Sequence, residues 1–174
     1  MREIKFSEPA DIKKLAGTYL MFSAVVDKDV QSKINQYLFQ VFNANASLEF
    51  EPQDYPHVTL FASPDDIGYS HKLELISFVR NVLPPSNKLI DVEVTGTELF
   101  SDDKQTLVVR LGSNKLDELN KKICDFMSNR GFKMSEYSFN PHITLGRVSR
   151  SDIYLPPIED MGIIFKNLTV SIGY

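Results

Sequence analysis

Cysteine and histidine are both scarce in this chain of 174 residues, which contains one cysteine and three histidines. A single cysteine excludes an internal disulfide. Cys124 falls on the apolar side of a predicted helix, where a buried structural thiol is the expected role. We therefore expect a reducing, cytoplasmic setting.

Long apolar runs and an excess of positive charge are also missing. No stretch approaches the roughly 20 apolar residues of a membrane span, and Met1–Phe6 lacks the apolar core of a signal peptide. The net charge is −4, which argues against an extended nucleic-acid surface. A small nucleotide or short oligonucleotide held by one or two local cations remains compatible, and we expect a monomer without membrane contact.

The hydrophobic content of 43% and charged content of 24% are those of an ordinary soluble globular protein. At this length the chain fits one domain over residues 1–174, built as two lobes that share a core. Residues 1–16 read as a polar N-terminal arm.

Alternating strand and helix patterns follow the arm. Asp27 or Asp29 can cap the first helix, and Ser113 can cap the third. Seven strands are predicted at about residues 18–26, 48–51, 55–62, 89–100, 106–111, 139–148 and 163–172, and three helices at about residues 30–42, 70–83 and 116–127.

One pentapeptide pattern occurs twice. Residues 56–60 read Pro-His-Val-Thr-Leu and residues 141–145 read Pro-His-Ile-Thr-Leu, and each copy lies in a predicted strand. Side chains two positions apart on a strand share a face, so each copy presents an imidazole and a hydroxyl side by side.

Each copy also ends a strand–helix–strand unit, and the two units have the same element order. If the units pack about a pseudo-twofold axis, the two His/Thr pairs face each other across a cleft. Both pairs could instead be buried in duplicated core strands. Each buried polar group left unpaired would then cost about 1–3 kcal/mol, which favours an open functional site.

These residue types suit phosphodiester cleavage. Imidazole titrates near pH 6.5, so one histidine can take a proton from an attacking oxygen while the other donates a proton to the departing oxygen. Threonine hydroxyls can donate to the non-bridging oxygens, where negative charge develops.

The paired His-x-Thr motifs resemble those of the 2H phosphoesterase superfamily over residues 17–172. This superfamily includes LigT-like (2'-5' RNA ligase-like) cyclic phosphodiesterases and viral and phage enzymes that degrade signalling oligonucleotides. The resemblance implies an α+β fold with two lobes related by a pseudo-twofold axis, antiparallel sheets with flanking helices, and a central cleft that carries both motifs. It implies no cofactor and no metal.

The resemblance assigns His57 and His142 as the acid–base pair and Thr59 and Thr144 as phosphate-binding hydroxyls. An arginine five residues after the second histidine also matches the LigT-like pattern, which makes Arg147 a candidate phosphate contact. Strict alternation puts Arg147 on the opposite face from His142 unless the strand bends, which Gly146 could permit. A solvated arginine at the end of the strand is the alternative.

The first motif departs from the LigT-like pattern, which often has an aromatic residue five positions after histidine. That position is Ala62, and Phe61 precedes it. We predict Phe61 and Tyr55 as substrate contacts, with Tyr55 either stacking on a base or packing against the protein. The third histidine, His71, lies outside both motifs and is predicted to be a surface residue.

Three functions remain open at this stage. The first is a metal-independent phosphodiesterase that acts on 2',3'-cyclic phosphates or on 2'-5' or 3'-5' linked oligonucleotides. The second is a metal hydrolase in which a carboxylate such as Asp54 joins the two histidines, although no compact ligand pair is present. The third is a non-catalytic nucleotide-binding module.

Overall fold

The computed structural model describes residues 20–63, 67–83, 90–101, 105–134, 138–158, 164–165 and 169–173. The predicted N-terminal arm lies outside these residues. The strands are β1 Met21–Val25, β2 Phe50–Pro52, β3 His57–Ala62, β4 Val92–Ser101, β5 Gln105–Gly112, β6 His142–Val148, β7 Ile164–Phe165 and β8 Thr169–Gly173, and the helices are α1 Lys28–Ala44, α2 Tyr69–Val82 and α3 Asn114–Ser128. None of the described helices combines the length and the apolar character that crossing a membrane requires.

Side chains cap two of the helices as predicted. The amide N–H of Val30 donates to Asp27 Oδ1 over 2.8 Å at the start of α1. The amide N–H of Leu116 donates to Ser113 Oγ over 3.4 Å at the start of α3. Each cap satisfies an amide that the first helical turn leaves without a partner.

The eight strands form one antiparallel sheet with the order β7-β4-β5-β6-β3-β1-β8, and β2 pairs separately with β6. The prediction of a single last strand over residues 163–172 is wrong. That segment provides two strands, β7 on the edge beside β4 and β8 on the opposite edge beside β1. The apolar pattern runs through both strands, so the sequence does not show the change of partner.

The short chain distance between β7 and β8 requires a curled sheet. Phe165 pairs with Val92 on one edge, and Thr169 pairs with Val25 on the other. Four residues span at most about 14 Å, whereas seven flat strands would be about 29 Å across at roughly 4.8 Å per spacing. The two edges of the sheet therefore curve toward each other.

The predicted strand–helix–strand units are β1-α1-β3 and β5-α3-β6, and each helix reaches the strands of the other half. The Tyr37 hydroxyl of α1 lies 2.8 Å from the Thr97 hydroxyl of β4. The Asn120 amide of α3 donates to the Leu60 carbonyl of β3 over 2.7 Å. Burial raises the pKa of Tyr37, so its phenol remains protonated. The two units therefore interlock around a shared core.

Both motif strands contain a bulge at the same motif position. In β3, Leu60 is the extra residue between the pairs that Thr59 and Phe61 make with β1. In β6, Leu145 is the extra residue between the pairs that Thr144 and Gly146 make with β5. A bulge places two successive residues on one strand against one on its partner. It therefore shifts the alternation of faces for every residue that follows.

Gly146 lets β2 lie close to β6. A Cβ atom at this position would meet the carbonyl oxygen of Glu51 and would lie 2.5 Å from a ring carbon of Phe50. Both neighbours belong to β2, whose Pro52 pairs with Gly146. A strand backbone cannot withdraw from this contact without losing its pairing, so glycine is required here.

We expect Gly146→Ala to lower the free energy of unfolding by about 1–3 kcal/mol, the range for overpacking a filled site. Gly68→Ala is the matched control, because its Cβ would lie 3.9 Å from the nearest side-chain atom, on His71. Gly68 is the N-cap of α2, where alanine is less favourable than glycine, so the control should lose some stability but less than Gly146→Ala. Urea unfolding followed by circular dichroism measures both variants, and equal stability of the two would contradict the close approach.

Candidate active site

The two motifs lie on neighbouring antiparallel strands in the middle of the sheet. Among the described residues, β3 and β6 pair at one position, Val58 with Ile143. These are the central residues of the two His-x-Thr triplets, and both are fully buried. The local pseudo-twofold axis of the motifs therefore passes through this pair.

Extending that register by one residue in each direction sets His57 opposite Thr144 and Thr59 opposite His142. All four side chains are half-buried and share the face away from the core. Side chains directly opposite each other have Cβ atoms about 5 Å apart, and diagonal neighbours are about 7–8 Å apart. The two imidazoles are therefore diagonal neighbours, with the two threonines on the other diagonal.

Backbone carbonyls hold both imidazoles in the same way. His57 Nδ1 lies 2.7 Å from the Tyr55 carbonyl oxygen, and His142 Nδ1 lies 2.8 Å from that of Asn140. A carbonyl only accepts, so Nδ1 carries the hydrogen in each ring and Nε2 is the nitrogen that can accept a proton. In each case the accepting carbonyl precedes the motif proline, whose fixed φ limits the local backbone.

The two threonines complete the central part of the site. Thr59 Oγ1 donates to the sulfur of Met21 over 3.8 Å. A thioether is a weak acceptor, so an anionic phosphate oxygen can take over this hydrogen bond at little cost. Thr144 occupies the symmetry-related position on β6, beside His57.

The bulge at Leu145 decides where Arg147 points. After two consecutive buried residues, Leu145 and Gly146, the alternation resumes with Arg147 exposed and Val148 buried. Arg147 therefore lies on the same face as His142 and Thr144. Glu51 of β2 pairs with Arg147 across the strands. The register shift at Leu145 thus places Arg147 on this face, and its contact with a phosphate remains a prediction.

Phe100 shows that the histidine-bearing face is concave. Its ring centroid lies 4.9 Å from that of His142, with an edge-to-face angle of 70°. Phe100 pairs with Thr106, which pairs with Arg147, so on a flat sheet its Cα would be about 16 Å from that of His142. Curvature of the sheet therefore brings β4 over the site.

Arg110 is a cation at the site that the sequence analysis missed. It pairs directly with His142 across β5 and β6, so its side chain projects from the same face. Arg110 Nη1 donates to Glu98 Oε2 over 2.7 Å, and about one third of its side chain is exposed. An ion pair of this exposure contributes little stability, so the guanidinium can also bind a phosphate. The sequence shows only that Arg110 lies on the strand before α3. It does not show that Arg110 pairs with His142, because the register of two strands depends on residues that are far apart in sequence.

Two predicted substrate contacts have different surroundings. Phe61 is 4% exposed and its ring centroid lies 6.2 Å from that of Phe22. The bulge at Leu60 directs Phe61 into the core, and its role as a substrate contact remains a prediction. Tyr55 is 64% exposed, and its backbone carbonyl holds His57. A base-stacking role for its ring remains a prediction.

His71, Cys124 and Asp54 are the other residues with reactive side chains considered above. His71 is half-buried in α2, with its ring edge-on to Phe132 at 5.0 Å. Cys124 is half-buried, and burial raises the pKa of its thiol. Asp54 is exposed in the turn before β3. In the part of the chain that the structure describes, no three His, Cys, Asp or Glu side chains are grouped to hold a metal ion.

Solved structures share this fold at low sequence identity. The chain is similar to E. coli LigT complexed with NADP+ at 17% identity and a TM-score of 0.63, over 90% of this chain and 86% of that chain. It is similar to the MHV ns2 PDE domain at 14% identity and a TM-score of 0.57, over 89% and 99%. Kluyveromyces marxianus Usb1 gives 17% identity and a TM-score of 0.51, over 75% and 70%. These identities show the fold alone.

No curated protein matches the chain significantly by sequence. A family model described as the 2'-5' RNA ligase superfamily, however, matches residues 30–161, which is more than half of the chain and includes both motifs. The family resemblance and the α+β fold inferred from the sequence are thereby confirmed. The chain belongs to the 2'-5' RNA ligase superfamily, among the 2H phosphoesterases.

Proposed function

We propose that this protein is a phosphodiesterase that cleaves a 2',3'-cyclic phosphate or a 2'-5' or 3'-5' linkage between nucleotides by two-histidine acid–base catalysis. The pairing of Val58 with Ile143 carries the proposal, because it sets each motif histidine beside the threonine of the other motif. Phosphoryl transfer needs a base, an acid and donors to the non-bridging oxygens, and imidazoles and threonine hydroxyls are groups of these kinds.

Proton transfer would proceed through the two Nε2 atoms. One neutral imidazole takes the proton of the attacking oxygen as the new P–O bond forms. The other imidazole, protonated, gives its proton to the departing oxygen as the old P–O bond breaks. Attack by water leaves a phosphomonoester, whereas attack by a vicinal ribose hydroxyl leaves a cyclic phosphate. The near-symmetric hydrogen bonds to Tyr55 and Asn140 leave the acid and base roles open.

The threonines and arginines would stabilise the phosphorane-like charge. Thr59 and Thr144 would flank the phosphate. Arg110 lies beside His142 on the same face, and Arg147 follows Thr144 along β6 on that face. Charge-assisted hydrogen bonds from such donors are about twice as strong as neutral ones. Arg110 therefore joins Arg147 as a proposed phosphate contact.

His57→Ala and His142→Ala should each lower kcat by about 10²–10⁴-fold, the usual contribution of a proton-transfer group. The substrates are 2'-5' oligoadenylate and adenosine 2',3'-cyclic phosphate, with products separated by chromatography. His71→Ala is the matched control and should keep parental rates, because His71 lies in α2 and contacts Phe132. Near-parental rates in both motif variants, with circular dichroism unchanged, would refute the site.

Excess EDTA should leave the rate unchanged, because two imidazoles can perform both proton transfers without a metal. The measurement is the initial rate after dialysis against chelator, with and without added Zn²⁺ or Mn²⁺. Loss of activity that returns with one metal would instead favour the metal hydrolase in which Asp54 assists the histidines. Tight nucleotide binding without turnover of any phosphodiester would favour the non-catalytic binding module.

Arg110→Gln should lower kcat/KM by about 10- to 100-fold. This is the effect expected when one hydrogen bond to a charged group is lost. Arg110→Lys should recover part of the loss, because it restores the charge without the planar guanidinium. Glu98→Gln breaks the ion pair but keeps the cation, so it should lose less than Arg110→Gln. An equal loss in Arg110→Gln and Glu98→Gln would mean that the ion pair, rather than the cation, matters.

A further inference from the structure

Each motif threonine is followed directly by the extra residue of a bulge. Leu60 follows Thr59 in β3, and Leu145 follows Thr144 in β6. Both leucines are buried, and neither has a residue opposite it on a neighbouring strand in the described part of the sheet. A bulge interrupts the ladder of backbone hydrogen bonds, so the carbonyl of its extra residue needs a donor from elsewhere.

The two bulges receive that donor in different ways. The backbone N–H of Gln53 donates to the Leu145 carbonyl over 2.9 Å. The side-chain amide of Asn120 donates to the Leu60 carbonyl over 2.7 Å. The bulge in β6 is therefore held by a backbone group, whereas the bulge in β3 is held by one side chain from a helix.

Asn120 is oriented for this contact at both ends of its amide. It is half-buried on α3, one turn after Leu116 and three residues before Ile123, which are both fully buried. Its Oδ1 accepts from the thiol of Cys124 over 3.7 Å. A thiol can donate and a carbonyl only accepts, so the NH₂ group faces Leu60. Asparagine is a poor helix former, and these hydrogen bonds explain its place on the inward face.

The Thr59 hydroxyl depends on its backbone for its position. Its hydrogen bond to the sulfur of Met21 is weak, because a thioether is a poor acceptor. The Leu60 carbonyl belongs to the next residue, so a change in its direction rotates the backbone that carries Thr59. A cavity of about 400 Å³ borders Thr59, Leu60 and Asn120, which leaves room for such a shift.

We propose that Asn120 is a positioning residue for the cleavage reaction: its amide holds the bulge at Leu60 and thereby sets the Thr59 hydroxyl where a non-bridging phosphate oxygen requires it. This inference rests on the proposed function and adds to it a residue outside both motifs. Asn120 acts through Thr59 rather than on the substrate. A misplacement of about 1 Å can lower a rate by about 10²-fold, so loss of the amide reaches the chemistry although both motifs are intact.

The test is a double-mutant cycle, measured as kcat and KM on whichever of 2'-5' oligoadenylate and adenosine 2',3'-cyclic phosphate the parent protein cleaves faster. Asn120→Leu removes the donor and keeps a branched side chain of the same length. Thr59→Val removes the hydroxyl and keeps the branch at Cβ. Asn120→Leu alone should lower kcat by about 10- to 100-fold, with a smaller change in KM.

The second substitution shows whether Asn120 acts through Thr59. In the Thr59→Val background, Asn120→Leu should change kcat by less than about twofold, because the hydroxyl that it positions is gone. In the Thr144→Val background it should keep its full effect, because the bulge after Thr144 is held by Gln53.

Asn45→Leu is the matched control for a loss of stability. The Asn45 amide donates to the carbonyls of Val41 and Tyr154 at the end of α1, so its removal destabilises the protein away from the motifs. This variant should keep the parental kcat at a temperature where it is folded. If Asn120→Leu lacks native circular dichroism, Asn120→Asp takes its place in the cycle, because an ionised carboxylate has the shape of the amide but cannot donate.

The outcomes separate this inference from the proposed function. An equal loss from Asn120→Leu in the parent and in Thr59→Val would mean that Asn120 only supports the fold and would overturn the inference, as would a parental kcat in Asn120→Leu. The proposed function survives either result provided that turnover still requires His57 and His142. If the parent protein cleaves no phosphodiester, both proposals fail.

Discussion

The pairing of β3 with β6 at Val58 and Ile143 is the contact on which the site depends. Each motif alone is a strand with an imidazole and a hydroxyl on its outer face. Antiparallel pairing at the central residues brings a histidine and a threonine from each strand onto one face of the sheet. The register has to be this one, because a slip by one residue would send one set of side chains into the core. The fully buried Val58 and Ile143 oppose such a slip.

The interlocked helices support that register from the core side. Tyr37 of helix α1 forms a hydrogen bond with Thr97 of β4. Asn120 of helix α3 donates a hydrogen bond to the Leu60 carbonyl of β3. Each half of the molecule is therefore held by a helix from the other half, so separation of the halves would expose both helices. These helix contacts add to the single backbone pairing that joins β3 and β6 among the described residues. The carbonyls of Tyr55 and Asn140 then fix the orientation of the rings.

Local patterns in the sequence predicted most of the helices and strands and the family. The caps at Asp27 and Ser113, the apolar stripes of the helices and the paired motifs depend on residues that are close in sequence. The face of Arg147 was not predictable, because it depends on a bulge that appears only when β6 meets β5. The burial of Phe61 was not predictable for the same reason, because it follows the equivalent bulge in β3.

Long-range register accounts for the other omissions. Arg110 and Phe100 reach His142 through the pairing and curvature of β4, β5 and β6, which no window of sequence contains. The division of the last predicted strand into β7 and β8 arises because the curled sheet brings its two edges within reach of one short segment. These features depend on the tertiary fold, so propensity and periodicity carry no signal for them.

The pairing of β1 with β8 also has a consequence for how the chain folds. Met21 pairs with Gly173, so one of the earliest strands completes its hydrogen bonding with one of the last. Contacts of such long sequence separation slow folding, because the closure of a long loop precedes any gain from the contact. During synthesis the outer edge of β1 stays unpaired until residues 169–173 emerge. An open edge of this kind is a template for intermolecular strand pairing, so aggregation should compete with folding of the nascent chain until β8 has docked.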